Sequence, residues 1–187
     1  MALRMGGLLV ALRMGVLLVA ADIVRMLNSA FSHLELGGPD LFPTTLQNDI
    51  NVLNKTLYTE LNNGVYQAGF ATTQVAYEEA YLKVFSALDA MEVRLSDGRE
   101  YLFGATLTET DIRLFVTLVR FDAAYHGLFK CNRNTLKSMR HLHSYMHRIL
   151  AIKGIRETVK IDHIKAGYYS IKALNPTGIV PIGPEQL

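Results

Sequence analysis

The chain has a single cysteine, Cys131, in 187 residues. One thiol excludes an internal disulfide framework and sets a reducing compartment, the cytoplasm, as the expected location. Runs of like charge are also missing. The 19 Lys and Arg residues are scattered among 17 Asp and Glu, for a net charge of +2. Nothing in that pattern asks for nucleic acid or a membrane surface as a partner. No apolar run is long enough to span a bilayer, because Arg13 breaks residues 1–21 into two pieces of about eight residues. There is no glycine-rich phosphate loop, no Ser/His/Asp set at a diagnostic spacing, no Cys-x-x-Cys and no paired acids in a catalytic motif. The motif-borne routes to phosphoryl transfer, serine hydrolysis and dithiol exchange are therefore absent.

What is present reads as a folded, helical protein. Half the residues are hydrophobic and 19% are charged, enough apolar material for one sizeable core. ALRMGGLLV (2–10) recurs as ALRMGVLLV (11–19), so residues 1–21 form an atypical apolar leader with a tandem repeat. A signal peptide is the alternative reading of that segment. From Asp22 the pattern turns helical, with Ile23, Met26, Leu27, Ala30 and Phe31 on one face before Gly37-Gly38-Pro39. Leu46, Ile50, Leu53, Leu57 and Leu61 predict a second helix, stopped at Asn62-Asn63-Gly64, with residues 65–70 as a break. Tyr77, Tyr81, Val84, Leu88, Met91 and Leu95 predict a long helix over roughly 72–95. Further helices are expected over 134–151 and about 154–160, followed by an extended, proline-rich tail from about Ala173. Five or six helices without strands make an all-α bundle.

The stretch TETDIRLFVTLVRFDAAYHGLFKCN (108–132) is the most informative. Thr108 is a good N-cap, and Asp111 three residues on can reach back to close an Asp variant of the capping box. Leu107 and Ile112 are placed as a hydrophobic staple. The run Ile112–Phe121 is apolar on nearly every side, which predicts a central buried helix.

Candidate chemical groups are few. His143 and His147 stand four apart, a metal-ligand spacing, but no third ligand is evident and surface histidines are the expectation. Cys131, next to Lys130, is expected to be a buried structural cysteine, since no oxyanion motif surrounds it. Asn54-Lys55-Thr56 is a glycosylation sequon that falls inside an expected helix, a chance match. Tyr66, Tyr125 and Tyr168 sit at element ends, where phenols can line a cleft and hydrogen-bond a quinol oxygen. The alternative for each is an amphipathic tyrosine with a buried ring and a wet hydroxyl.

The capped helix at 108–121 looks like the hallmark helix of the C-terminal domain of glutathione transferases. NNGVYQAGFATTQVAYEEAY (62–81), the 108–132 stretch, DHIKAGYY (162–169) and NPTGIVPIGP (175–184) together resemble the glutathionyl-hydroquinone reductases, the xi-class glutathione transferases. DIVRMLNSAF (22–31) resembles the helix that closes the family's thioredoxin-like domain. The resemblance implies a remnant of that domain over 22–34 and a glutathione transferase C-terminal-like domain over 43–187. It implies an activity in which a cysteine thiolate attacks the sulfur of a glutathionyl-hydroquinone. A second glutathione, the co-substrate, then resolves the mixed disulfide.

The resemblance also marks what differs. The family's Cys-Pro-Trp-type nucleophile motif does not occur in this sequence, so no catalytic residue is assigned, and Cys131 matches a family cysteine that is not the nucleophile. Val19 and Ala20 stand where the family carries a Glu-Ser pair for glutathione, Gly167 where it has His, and His143 where it has Trp. Tyr66 and Tyr168 match tyrosines that hold the hydroquinone ring, and Tyr125 is the expected third wall. A quinol is the implied ligand and a homodimer the implied assembly. The chain alone is expected to be inactive. A non-catalytic helical binding or dimerisation module is the other expectation.

Overall fold

The computed structural model describes residues 22–30 and 38–184, so the tandem repeat, Val19 and Ala20 lie outside the described residues. The chain divides into two compact units, Met1–Gln47 and Asn48–Leu187; the sequence expectation sets the boundary at 43. In the first unit, residues 22–30 are helical (α1). Asn28 donates from Nδ2 to Asp40 at 2.8 Å and accepts the Leu41 N–H at 2.9 Å. The Arg25 guanidinium lies 3.8 Å from the centre of the Phe42 ring.

The second unit is helical throughout. Helix α2 (Gln47–Thr56) runs into a π-helical turn, Leu57–Asn62. Then follow α3 (Gly64–Gly69), α4 (Gln74–Leu95) and α5 (Glu109–Arg120), which passes into a second π turn, Phe121–Tyr125. A single 3-10 turn, Leu136–Ser138, precedes α6 (Arg140–Leu150), and α7 (Ile155–Thr158) and α8 (Ile161–Tyr169) complete the order. The all-α expectation holds among the described residues, where the only β features are two isolated bridges in 101–106. No helix among them is long and apolar enough to cross a membrane.

Two expectations are corrected. The expected stop falls at Asn63, a turn after the π-helical Leu57–Asn62, but 65–69 is not a break: Gly64–Gly69 is itself helical, and Tyr66 lies within it. Gly64 lets α4 approach closely, since a Cβ there would stand 3.0 Å from Val84 Cγ2. The second correction is α8, which the sequence reading leaves unassigned although Ile161, Ile164, Lys165 and Tyr168 have helical spacing. Downstream of it the tail begins in turns at 172–174 and 176–177, and 178–184 carry no helix or strand. Asn175 ties this segment down, donating from Nδ2 to the carbonyls of Tyr169 at 2.7 Å and Ile179 at 3.0 Å.

Helix α4 packs on α3 and α6, and α5 on α6 and the first π turn. The expected stripe on α4 faces the core: Val84, Leu88, Met91 and Leu95 are buried, with Tyr77 and Tyr81 packed against them. Glu92 on α4 accepts the N–H groups of His141 at 2.8 Å and Leu142 at 2.7 Å, satisfying free amides of the first turn of α6.

Helix α5 sits on a polar key. Its capping box forms, and Thr108 and Asp111 are fully buried. Asp111 accepts the Thr108 N–H at 2.8 Å, the Thr108 hydroxyl at 2.9 Å, the Leu102 N–H at 2.8 Å and the Tyr145 hydroxyl at 2.7 Å. The cap thus also fixes α6 and the 101–106 loop. The helix is not buried all round, however. Ile112 is 39% and Val116 40% exposed, so the expected staple residue and its neighbour one turn on form an open apolar edge. That edge leads into the cleft described next.

Candidate functional site

Three elements bring three tyrosines together. Helix α3 carries Tyr66, the second π turn Tyr125 and α8 Tyr168. The Tyr168 hydroxyl is hydrogen bonded to that of Tyr66 at 2.9 Å and to that of Tyr125 at 2.6 Å, with either partner able to donate in each pair. One ring, fully buried Phe129, lies edge-on to all of them, with centroids 5.3, 5.4 and 5.7 Å from Tyr66, Tyr125 and Tyr168. Such edge-to-face contacts are each worth roughly 0.5–1.5 kcal/mol beyond burial.

Phe129 is held from both sides. Gly69 at the end of α3 gives it room, since a Cβ there would stand 2.2 Å from its Cδ1. The chain beyond it reverses through Lys130, whose φ of 61° is left-handed. The Cys131 N–H returns to the Tyr125 carbonyl at 3.0 Å, and the Tyr77 hydroxyl donates to the Lys130 carbonyl at 2.8 Å. That is the geometry of a helix C-terminus closed by a left-handed residue.

Tyr66 and Tyr168 line a cleft of about 600 Å³, together with Phe115, Val116, Val119 and Arg120 of α5 and the start of α8. The open edge of α5 is its apolar wall. Tyr125 does not line it: only 4% exposed, it stands behind Tyr168 and holds that hydroxyl from the rear. The volume suits one substituted aromatic ring, and hydroxyls that both donate and accept can exchange a partner for a ligand oxygen. Phe129 and Arg120 are the residues that sequence reasoning missed.

Burial pushes the hydroxyls of Tyr125 and Tyr168 above the ordinary 10.0, with the Tyr125 hydrogen bond and, to a smaller degree, the Arg120 charge pulling Tyr168 the other way. Burial, then the Asp111 charge, pushes Tyr145 up as well. The fold therefore favours the neutral phenols. The stability this gives is complete below pH 10, the unfolded value, and is lost as pH rises through that value toward the raised ones. Ultraviolet titration should show these three phenolates appearing only together with alkaline unfolding. Their ionisation near pH 10 in folded protein would contradict the geometry.

The remaining candidates lie elsewhere. Cys131 is fully buried, and burial pushes its thiol up to about 12, so it is not a reactive thiolate. An aromatic disulfide reagent should detect almost no thiol in native protein and one per chain after denaturation. His143 and His147 bring their Nε2 atoms to 3.2 Å, and no group of three or more metal-binding side chains occurs among the described residues. Asn54 is buried and donates to Glu109 at 2.7 Å, so the sequon is closed to a glycan. Gly167 lines the cleft, and a Cβ there would meet nothing within 4 Å.

An all-α unit built on a capped α5, with an aromatic cleft at its end, is the architecture of a glutathione transferase helical domain. Residues 74–148 match the family model "Glutathione S-transferase, C-terminal domain". Within that class the relatives of this chain include proteins named glutathionyl-hydroquinone reductase and omega-like glutathione S-transferase. It is 47% identical over 168 residues to glutathionyl-hydroquinone reductase PcpF of Sphingobium chlorophenolicum, covering 89% of this chain and 53% of the relative. It is 48% identical to YqjG of Escherichia coli strain K12, covering 89% and 51%. The glutathione-bound structure of YqjG superposes with a TM-score of 0.86 at 47% identity, over 89% of this chain and 54% of that one. The xi glutathione S-transferase of Phanerochaete chrysosporium gives 0.85 at 44% identity, over 88% and 57%. The chain thus spans about half the length of the curated relatives it matches.

Proposed function

We propose that these residues form the quinol-binding part of a glutathionyl-hydroquinone reductase. The observation that carries this reading is the Tyr66–Tyr168–Tyr125 hydroxyl cluster at the wall of an apolar cleft. An aromatic ring lies against Phe115, Val116 and Val119, and its oxygen takes a bond from Tyr66 or Tyr168. Tyr125 keeps Tyr168 in place. In the reaction, a thiolate attacks the sulfur of the glutathionyl-hydroquinone and the carbon–sulfur bond breaks. The ring takes up a proton and leaves as the hydroquinone. A second glutathione thiolate then attacks the mixed disulfide, giving oxidised glutathione and restoring the thiolate. Tyr66 and Tyr168 serve the leaving ring: they hold its oxygen as charge builds there and keep water from one face.

The attacking thiolate is not Cys131, the one cysteine in the sequence, whose burial and raised pKa remove it from the chemistry. That favours the second reading for these 187 residues taken alone, a helical module that binds the quinol without turnover. Self-association as a homodimer and a cytoplasmic location belong to the same proposal.

Titration calorimetry with hydroquinone under anaerobic conditions tests the site. Tyr168→Phe should weaken binding about tenfold, the loss of one well-placed hydrogen bond. It should also lower stability by roughly 1–3 kcal/mol, because the buried Tyr125 hydroxyl loses a partner. Tyr169→Phe should bind as wild type does. Unchanged binding in Tyr168→Phe would remove the cleft from consideration, and glutathione-dependent turnover by residues 1–187 would sink the non-catalytic reading.

A further inference from the structure

We propose that the cleft selects quinols carrying an anionic ring substituent, a carboxylate or sulfonate, with Arg120 as the residue that grips it and Lys160 as a second charge at the rim. The inference rests on the reading of the cleft as a quinol site and adds to it the class of ring.

The wall has one sign of charge. Arg120 and Lys160 line the cleft together with its apolar and tyrosine residues, and no Asp or Glu does. Asp162 lines a different cleft between α8 and the tail, with Lys165 and Ile182. His163 also lines the cleft but lies 3.7 Å from Asp162 with both side chains largely exposed, and the proposal does not rest on it.

Arg120 is the last residue of α5 and only partly exposed, one turn beyond Val116 on the apolar wall. One guanidinium nitrogen donates back to the Val116 carbonyl, which fixes the side chain along the helix end. Among the described residues no carboxylate pairs with Arg120 or with Lys160. A fixed guanidinium presents a planar fork that suits a carboxylate, and it acts more strongly where apolar walls thin the water. Its charge is felt at the Tyr168 hydroxyl, where it opposes the effect of burial. Arg120 and Tyr168 line the same cleft, so the guanidinium and the hydroxyl proposed to meet the quinol oxygen face one ligand space. A neutral quinol would fill the apolar wall and leave this charge uncompensated. A ring carrying an anion would satisfy both.

The test is titration calorimetry at low salt with 2,5-dihydroxybenzoate and its methyl ester, which share the hydroquinone ring and differ in charge. Wild type should bind the carboxylate at least about fivefold tighter than the ester, a preference that shrinks at high salt. Arg120→Gln should remove most of the preference while keeping the affinity for the ester. Lys160→Gln, at an exposed position that cannot threaten folding, should remove a smaller part. Equal binding of carboxylate and ester would overturn the proposal and leave the quinol reading standing. Failure of both rings to bind would overturn the quinol reading itself. A glutathione titration separates the remaining source of carboxylates. If glutathione binding falls in Arg120→Gln while that of dihydroxybenzoate does not, the guanidinium reads the peptide rather than the ring, and the proposal is overturned.

Discussion

Asp111→Ala is expected to cost the fold about 4 kcal/mol, close to the whole stability of many domains. The carboxylate is fully buried and accepts four hydrogen bonds, from two backbone N–H groups and two hydroxyls. Its removal strands the Tyr145 hydroxyl and the Leu102 N–H in a dry core, and each buried donor without a partner costs roughly 1–3 kcal/mol. The cap itself contributes about 1 kcal/mol more. Thr108→Ala, which removes only the hydroxyl share, should therefore cost about 1 kcal/mol. Asp111→Asn keeps the shape but turns an amide donor toward other donors, and it should fall between the two. Urea denaturation followed by circular dichroism decides this. A loss below about 1 kcal/mol for Asp111→Ala would show that the network does not anchor α5.

Gly69→Ala should be nearly as damaging, although alanine is the better helix former by about 1 kcal/mol. The added Cβ would stand 2.2 Å from Phe129 Cδ1, 2.7 Å from its Cγ and 3.0 Å from its Cβ. Phe129 is fully buried and cannot swing aside without moving its neighbours. Overpacking of this kind costs about 1–3 kcal/mol or more, so the clash outweighs the propensity. The effect should reach the site, because the displaced ring is the common support of Tyr66, Tyr125 and Tyr168. Hydroquinone affinity should drop about tenfold at temperatures where the helices remain intact. Gly64→Ala is the control: its Cβ meets one methyl, Val84 Cγ2, at 3.0 Å, and should cost less. Equal stability of Gly69→Ala and wild type would mean that Phe129 is loosely held.

Local chemistry made part of the fold legible. Thr108 and Asp111 announce a helix start at the spacing that a cap requires, and the α4 stripe has the period of a half-buried helix. What failed involved competition with packing. Asn62-Asn63-Gly64 does interrupt the helix, but Gly64 opens the next one at once, packed close against Val84, where the sequence suggests a break. Helix α8 spans nine residues including a glycine, too few to show a period against noise. The apolar run of α5 predicts burial on all sides, and nothing local reveals that Val116 faces a cleft.

The site was less legible. Tyr66 and Tyr168 are 102 residues apart, and only the family resemblance joined them. That Tyr125 stands behind rather than in the cleft depends on a π turn, which shifts register without a signature in residue type. Arg120 had a weak signal, a lone cation closing an apolar helix.

The two π turns make the residue count matter. A turn of this kind is an α-helix that has taken in one extra residue, and each residue advances the helix by about 100°. Losing one residue from 121–125 would restore a regular helix and swing Tyr125 to another face, leaving Phe129 and Tyr168 without it. Deletions in this segment should therefore be tolerated far less well than substitutions. The site depends on a residue count in the helix as much as on the identity of its side chains.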